Sequence, residues 1–129
     1  MGGDTPKLLI VDDEHNTREA MARYLGRRFR VTTAADGGAA LEELAKEKFD
    51  LVLTDLRMPH CSGMDVLEAV RKQQNPPSCI LLTAYGSIED AVTAVKQGAF
   101  DFVTKPVKLD KLEEVINAAL EERKKNTAP

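Results

Sequence analysis

Polar residues stand at the downstream ends of several short apolar runs: Asp12 and Asp13 after Leu8 to Val11, Asp55 after Leu51 to Thr54, Thr83 closing Cys79 to Leu82, and Lys105 after Phe102 to Thr104. Taken singly, each has a plain reading. An Asp-Asp pair suits a solvated turn or a helix cap, a strand-end threonine satisfies local backbone, and a lysine before proline is a solvated loop charge. Taken together they suggest a site, because in a parallel sheet with helices on both faces the ligand crevice lies beyond the carboxyl ends of the strands. Clustered carboxylates repel and raise one another's pKa unless a counter-charge is present, so a hard cation is the natural occupant. Mg2+ suits one or two carboxylates, a carbonyl and waters while leaving positions open for phosphate oxygens, whereas Ca2+ recruits more protein oxygens. Beside such an ion, Lys105 offers a point charge for phosphate and Thr83 a hydroxyl donor.

The elements that must bring these residues together are legible in the hydropathy pattern. Runs at Lys7 to Val11, Arg30 to Ala34, Leu51 to Thr54, Cys79 to Thr83 and Phe102 to Thr104 alternate with segments of helical period, as in repeated strand-helix units around a parallel sheet. The first, third and fourth are nearly continuous apolar stretches, as strands covered on both faces must be, so the second and fifth are expected at the edges. Apolar stripes follow at Ala20, Met21, Tyr24 and Leu25; at Ala40, Leu41, Leu44 and Ala45; at Met64, Leu67 and Val70; at Ile88, Ala91, Val92 and Val95; and at Leu109, Leu112, Ile116 and Leu120. Asp36, Ser62 with Asp65, and Ser87 with Asp90 predict helix caps. Gly98 and Asn75-Pro76-Pro77 predict stops. Residues 1–6 are expected to be a disordered or appended leader, 7–122 the folded domain, and 123–129 either a frayed tail or the start of a linker.

Bulk composition narrows the function classes. The 129 residues suffice for one domain that buries roughly two thirds of the surface its unfolded chain exposes. A net charge of -3 supplies no basic surface for nucleic acid. The apolar runs are strand-sized, far short of the ~20 residues of a membrane helix, and Met1 to Pro6 is polar rather than a signal peptide. Cys61 and Cys79 sit in unrelated contexts without ligand spacing, which predicts reduced thiols in a cytoplasmic protein. His15 and His60 have no second histidine or cysteine at a ligand spacing, so neither is expected to hold a metal.

The runs Leu9-Ile10-Val11-Asp12-Asp13-Glu14, Leu53-Thr54-Asp55-Leu56-Arg57-Met58-Pro59 with Gly63, Leu82-Thr83-Ala84 and Thr104-Lys105-Pro106 resemble the bacterial response-regulator receiver domain over essentially residues 7 to 122. The resemblance implies an α/β fold, a doubly wound five-stranded parallel sheet of flavodoxin-like order 2-1-3-4-5. It implies a phosphoacceptor role for Asp55, Mg2+ binding by Asp12, Asp13, Asp55 and the backbone carbonyl of Arg57, phosphate contacts from Thr83 and Lys105, and a cis bond before Pro106. The implied function is phosphorelay signalling: Asp55 receives a phosphoryl group from a sensor histidine kinase and slowly loses it, without being an enzyme in the ordinary sense. Phosphorylation would repack the face of the fourth helix, fifth strand and fifth helix to control an output such as transcription, through an output domain beyond residue 129 or a phosphorylation-dependent homodimer. Phe102 is either edge-strand packing or, by the resemblance, the aromatic that moves with Thr83. The segment Gly98 to Pro106 is most similar to receivers of nitrogen-regulatory enhancer-binding activators.

Other readings meet specific obstacles. A haloacid-dehalogenase-type phosphohydrolase also uses an aspartate nucleophile, a threonine, a lysine and Mg2+, but wants an acid two residues after the nucleophile, where this chain has Arg57. A flavin carrier needs a hydroxyl- and glycine-rich phosphate loop after the first strand, where this chain has Asp-Asp-Glu. Arg57 and Tyr85, each two residues beyond a site residue, either govern water's access to the acyl phosphate or stand exposed and inert. Glu14 either borders the acidic pocket or sits at the start of the first helix, where its charge suits the dipole, and is left out of the metal shell.

Overall fold

The computed structural model describes residues 5–84 and 87–127, with side chains up to residue 125; Tyr85, for which either a role in water's access or exposure without a role is expected, lies outside the described residues. Five strands, β1 (Lys7–Val11), β2 (Arg30–Ala34), β3 (Leu51–Asp55), β4 (Ser78–Thr83) and β5 (Asp101–Thr104), alternate with α1 (His15–Leu25), α2 (Gly37–Lys46), α3 (Gly63–Arg71), α4 (Ile88–Lys96) and α5 (Leu109–Thr127). All neighbouring pairs are parallel and the order is β2-β1-β3-β4-β5. The continuous apolar runs are therefore the three inner strands and the weaker ones the two edges, as their hydropathy requires.

Alternate residues of each inner strand feed opposite faces of the sheet. Leu8, Ile10, Leu51, Leu53, Ile80 and Leu82 pack with Met21 and Leu25 of α1 and Leu112 and Ile116 of α5. On the other face Leu9, Val11 and Val52 meet Ala40 and Leu44 of α2 and Val66 and Val70 of α3. Cys79 and Leu81 meet Leu67, Ala91 and Ala94 on that same face, with Phe102 against them. Some residues of the expected stripes lie outside this packing. Ala20 and Ala45 are exposed, as are Leu41 and Val92, because the helices bury narrower faces than the sequence pattern spans.

The helix ends follow local chemistry with one exception. Asp36 accepts from the Ala39 N–H (2.7 Å), and Ser62 and Asp65 form a reciprocal capping box. Ser87 precedes α4 but caps nothing, its backbone standing at φ -115° and ψ 20°; its partner is a distant side chain described below. At the opposite end, residues 123–127, expected as tail or linker, continue α5. Arg123 fastens that turn to the sheet, donating to Asp50 (3.1 Å) and to the carbonyls of Asn75 and Pro76.

The start of α3 lies directly against the end of β3. The Gly63 N–H donates to the Leu56 carbonyl (2.8 Å), and a Cβ on Gly63 would stand 2.4 Å from the Asp55 carbonyl oxygen. Both contacts are backbone, so nothing flexible can yield. Gly63→Ala is expected to destabilise the fold by about 1–3 kcal/mol, the usual range for overpacking, measured as a lowered midpoint of chemical denaturation; an unchanged midpoint would mean that this crossing is loose.

Candidate functional site

Parallel registry brings the polar strand ends to one edge. Asp55 is the last residue of β3 and pairs in register with Leu82, Thr83 ends β4 opposite Thr104, and Asp12 follows β1. Asp12 and Thr83 are buried, Asp55 is 8% exposed and Asp13 is open to solvent.

Lys105 is the hub. Its Nζ stands 2.9 Å from Asp55 Oδ2 and 3.1 Å from Asp12 Oδ2, and the Lys105 N–H donates to the Thr83 carbonyl (2.8 Å), which ties the loop after β5 to β4. The following Lys105–Pro106 peptide is cis. Burial works against the ammonium, but hydrogen bonds and charges from Asp55 and Asp12 outweigh it and hold the pKa above the ordinary lysine value. For Asp55 burial is the largest influence and raises the pKa; Lys105 opposes this only in part, and the Asp12 charge adds to the rise.

The acidic loop is held from α1. Asp12 Oδ1 accepts from the Glu14 N–H (2.9 Å), and the Asp12 carbonyl accepts from the Arg18 guanidinium (2.8 Å). Glu14 is the N-cap of α1 and accepts from the Thr17 hydroxyl and the Thr17 N–H, contacts that lower its pKa. Its carboxylate is thus engaged by its own helix, which accounts for its separation from the acidic group. Arg18 was absent from the residues expected to matter; only its place on α1, one turn from the acidic loop, points to it.

Asp12, Asp13 and Asp55 offer carboxylate oxygens that all lie within 4.8 Å of one another. Asp12 Oδ2 is buried and, apart from its ion pair with Lys105, has no well-formed hydrogen bond. A buried carboxylate oxygen with spare acceptor capacity, a second carboxylate open to water and a third beside them fit a hard, partly hydrated cation such as Mg2+. Thr83 is brought to the same edge, where its hydroxyl donates to the Ala84 carbonyl (3.1 Å) rather than to Asp55. The Arg57 N–H donates to Asp55 Oδ1 (3.4 Å), while its guanidinium turns away towards α4. Phe102 lies two residues below Thr104 on β5, opposite Leu81 and partly buried.

A strand-end carboxylate paired with a lysine, beside further carboxylates that could hold a cation, on a 2-1-3-4-5 parallel sheet is the arrangement of a receiver-type domain. Residues 8–117 match the family model described as "Response regulator receiver domain", and the chain belongs to that family. It is 44% identical over 115 residues to the response regulator protein PilR of Pseudomonas aeruginosa, and 43% identical over 116 residues to the transcriptional regulatory protein GlrR of Escherichia coli K12. These alignments cover 88% and 89% of this chain and 26% of each relative, so the chain spans about a quarter of the length of these relatives. Among solved structures, a response regulator receiver domain protein from Clostridium thermocellum superposes with a TM-score of 0.85 at 32% identity, covering 92% of this chain and 97% of that one. NtrX from Brucella abortus, solved with ADP, gives 0.89 at 32% identity, covering 95% of this chain and 29% of that one. The resemblance to the receiver family and the sheet order it implied both hold.

The raised Asp55 pKa has a consequence for stability. Because the folded value exceeds the unfolded one, the contribution of Asp55 is most favourable below the ordinary carboxylate range and is lost as pH rises through the folded value. Asp55→Asn, neutral at every pH, is therefore expected to raise the melting temperature by a few degrees at pH 7 without added metal, and the advantage should fade on acidification. Calorimetry of both proteins from pH 7 to pH 4 checks this; a less stable variant at pH 7 would show that the Lys105 contact outweighs burial.

Proposed function

We propose that the chain is a phosphorylation switch: Asp55 accepts a phosphoryl group from a sensor histidine kinase, with Mg2+ held by Asp12, Asp13, Asp55 and the Arg57 backbone carbonyl. The observation that carries this reading is the Asp55 carboxylate at the mouth of the crevice, within 2.9 Å of Lys105 and within 4.8 Å of the oxygens of two further aspartates. In the transfer an Asp55 oxygen attacks phosphorus, the new O–P bond forms as the P–N bond to the donor imidazole breaks, and the nitrogen leaves with its electron pair. Mg2+, when bound, supplies positive charge for the phosphoryl oxygens. Lys105 orients the nucleophile and then pairs with a phosphoryl oxygen, and Thr83 has a hydroxyl whose bond to the Ala84 carbonyl can be exchanged for one to the phosphoryl group. Slow hydrolysis returns the switch to its resting state.

The signal follows from that exchange. When Thr83 turns towards the phosphoryl group it vacates space beside β5, and Phe102 rotates inward to fill it, because packed interiors do not retain voids. The face of α4, β5 and α5 is thereby repacked. In a longer protein resembling PilR and GlrR this face would govern an output domain that controls transcription, of the nitrogen-regulatory enhancer-binding kind, through a phosphorylation-dependent homodimer. The expected setting is cytoplasmic; among the described residues no helix is long and apolar enough to cross a membrane.

Two measurements test the reading. Incubated with acetyl phosphate and Mg2+, the protein should gain one phosphoryl group by intact mass, lost in Asp55→Asn and lost on chelation of the metal; undiminished incorporation in Asp55→Asn would overturn the assignment. Thr83→Ala should still bind beryllofluoride but lose the wild-type amide shifts over residues 87 to 120, a coupling of ~1–3 kcal/mol. If those distant shifts persist in Thr83→Ala, the signal does not pass through this hydroxyl.

A further inference from the structure

The missing cap of α4 is the point of departure. Ser87 and Asp90 have the spacing of a capping box, yet the Ser87 side chain makes no cap bond. Both are taken by one residue from the phosphoacceptor loop. Arg57 Nε donates to Ser87 Oγ (2.7 Å), and the same guanidinium pairs with the Asp90 carboxylate. Below this contact Leu56 packs against Ala91 and Ala94 of α4, while nearer the surface an open pocket of about 530 Å3, lined by Met58, Pro59 and Met64 on one side and Thr93 on α4, lies between the two segments. The clasp is the direct polar connection from the residue two positions after Asp55 to the first turn of α4.

Its energetics suit exchange. The Arg57 and Asp90 side chains are 69% and 55% exposed, and exposed ion pairs are weak. Ser87 is buried, so its hydroxyl needs a partner and has a second one within its own helix, the Asp90 N–H that a capping serine ordinarily satisfies. Asp90 has a second role as well, accepting as the other half of such a box from the Ser87 N–H, which in the clasped arrangement donates to the Ala84 carbonyl (2.9 Å). Two arrangements therefore satisfy the same groups, one with the guanidinium and one without it. A phosphoryl group on Asp55 would add negative charge and acceptor oxygens close to the base of Arg57, a competitor for the guanidinium stronger than a solvated carboxylate.

We propose that Ser87 and Asp90 are positioning residues that hold the Arg57 guanidinium off the phosphoacceptor site, and that the phosphoryl group on Asp55 draws this cation back and releases α4 to cap itself. The inference rests on the phosphoacceptor reading of Asp55 and deepens it. It adds a second link from Asp55 to α4, independent of Thr83 and Phe102. Once recruited, the guanidinium lies across the approach of water to phosphorus and prolongs the acyl phosphate.

The test is a cycle of wild type, Arg57→Ala, Asp90→Ala and the double variant. Without ligand, the amide shifts of residues 87 to 91 in both single variants should move in the direction that beryllofluoride with Mg2+ moves them in wild type, and the double variant should move no further. The acyl phosphate of Asp90→Ala should live about two- to fivefold longer than that of wild type, the scale of an exposed ion pair. That gain should vanish in the Arg57→Ala background and be reversed by Asp90→Glu, which a merely structural role of Asp90 would not produce. A lifetime change of equal size in both Arg57 backgrounds, a shorter lifetime, or unmoved amides at 87 to 91 in the single variants would overturn the clasp while leaving phosphorylation of Asp55 intact. Failure of wild type to incorporate a phosphoryl group would overturn the phosphoacceptor reading, and the exchange with it.

Discussion

Two buried carboxylates, Asp12 and Asp55, share one ammonium. Lys105 lies 3.1 Å from the first and 2.9 Å from the second, and without it the carboxyl edge of the sheet would hold uncompensated negative charge in a poorly solvated crevice. The compensation is incomplete. Burial still holds Asp55 above the ordinary carboxylate range, and Asp12 Oδ2 keeps spare acceptor capacity. A site whose negative charge is only partly compensated is suited to a further cation.

That geometry depends on the apolar strands beneath it. Asp12, Asp55 and Thr83 are each the terminus of, or the residue after, a strand whose last residues before them, Leu8 to Val11, Leu51 to Thr54 and Cys79 to Leu82, are buried. Parallel pairing sets their relative heights, since a register shift by one residue would turn every side chain to the opposite face. The fold is also asymmetric between its ends. At the base, Arg123 joins α5 to Asp50 and to the carbonyls of Asn75 and Pro76, a connection that keeps the last turns of α5 on the sheet. At the top, helices and loops meet through replaceable polar bonds: Arg18 to the Asp12 carbonyl, Thr83 to the Ala84 carbonyl, and Arg57 to Ser87. Rearrangement is cheap only where contacts can be exchanged for equivalents, and those contacts surround Asp55.

Helix α4 illustrates the difference between a local signal and a tertiary one. Ser62 and Ser87 are each followed by an aspartate three residues on, and both read as capping boxes. Ser62 forms one, its hydroxyl accepting from the Asp65 N–H. Ser87 does not, because Arg57, 30 residues earlier in the chain, reaches its hydroxyl first. Arg123 follows the same logic in reverse: a stretch without an apolar stripe reads as tail, yet one guanidinium holds it by contacts to loops far away in sequence.

The amino-acid sequence by itself determined the alternation of strand and helix, the inner and edge strands, and the set of polar strand ends, because these follow from hydropathy period and from residues acting within a few positions of one another. The motifs around Asp12, Asp55, Thr83 and Lys105 also carried the family. Only the tertiary structure decided that Lys105 bridges Asp12 and Asp55, that Gly63 is required by the Asp55 carbonyl 2.4 Å from its would-be Cβ, that Arg18 braces the acidic loop, and that Arg57 displaces a helix cap. Each of these is a directional contact between segments distant in the chain. Their partners are fixed by strand register and side-chain reach, quantities that no local pattern of residue types contains.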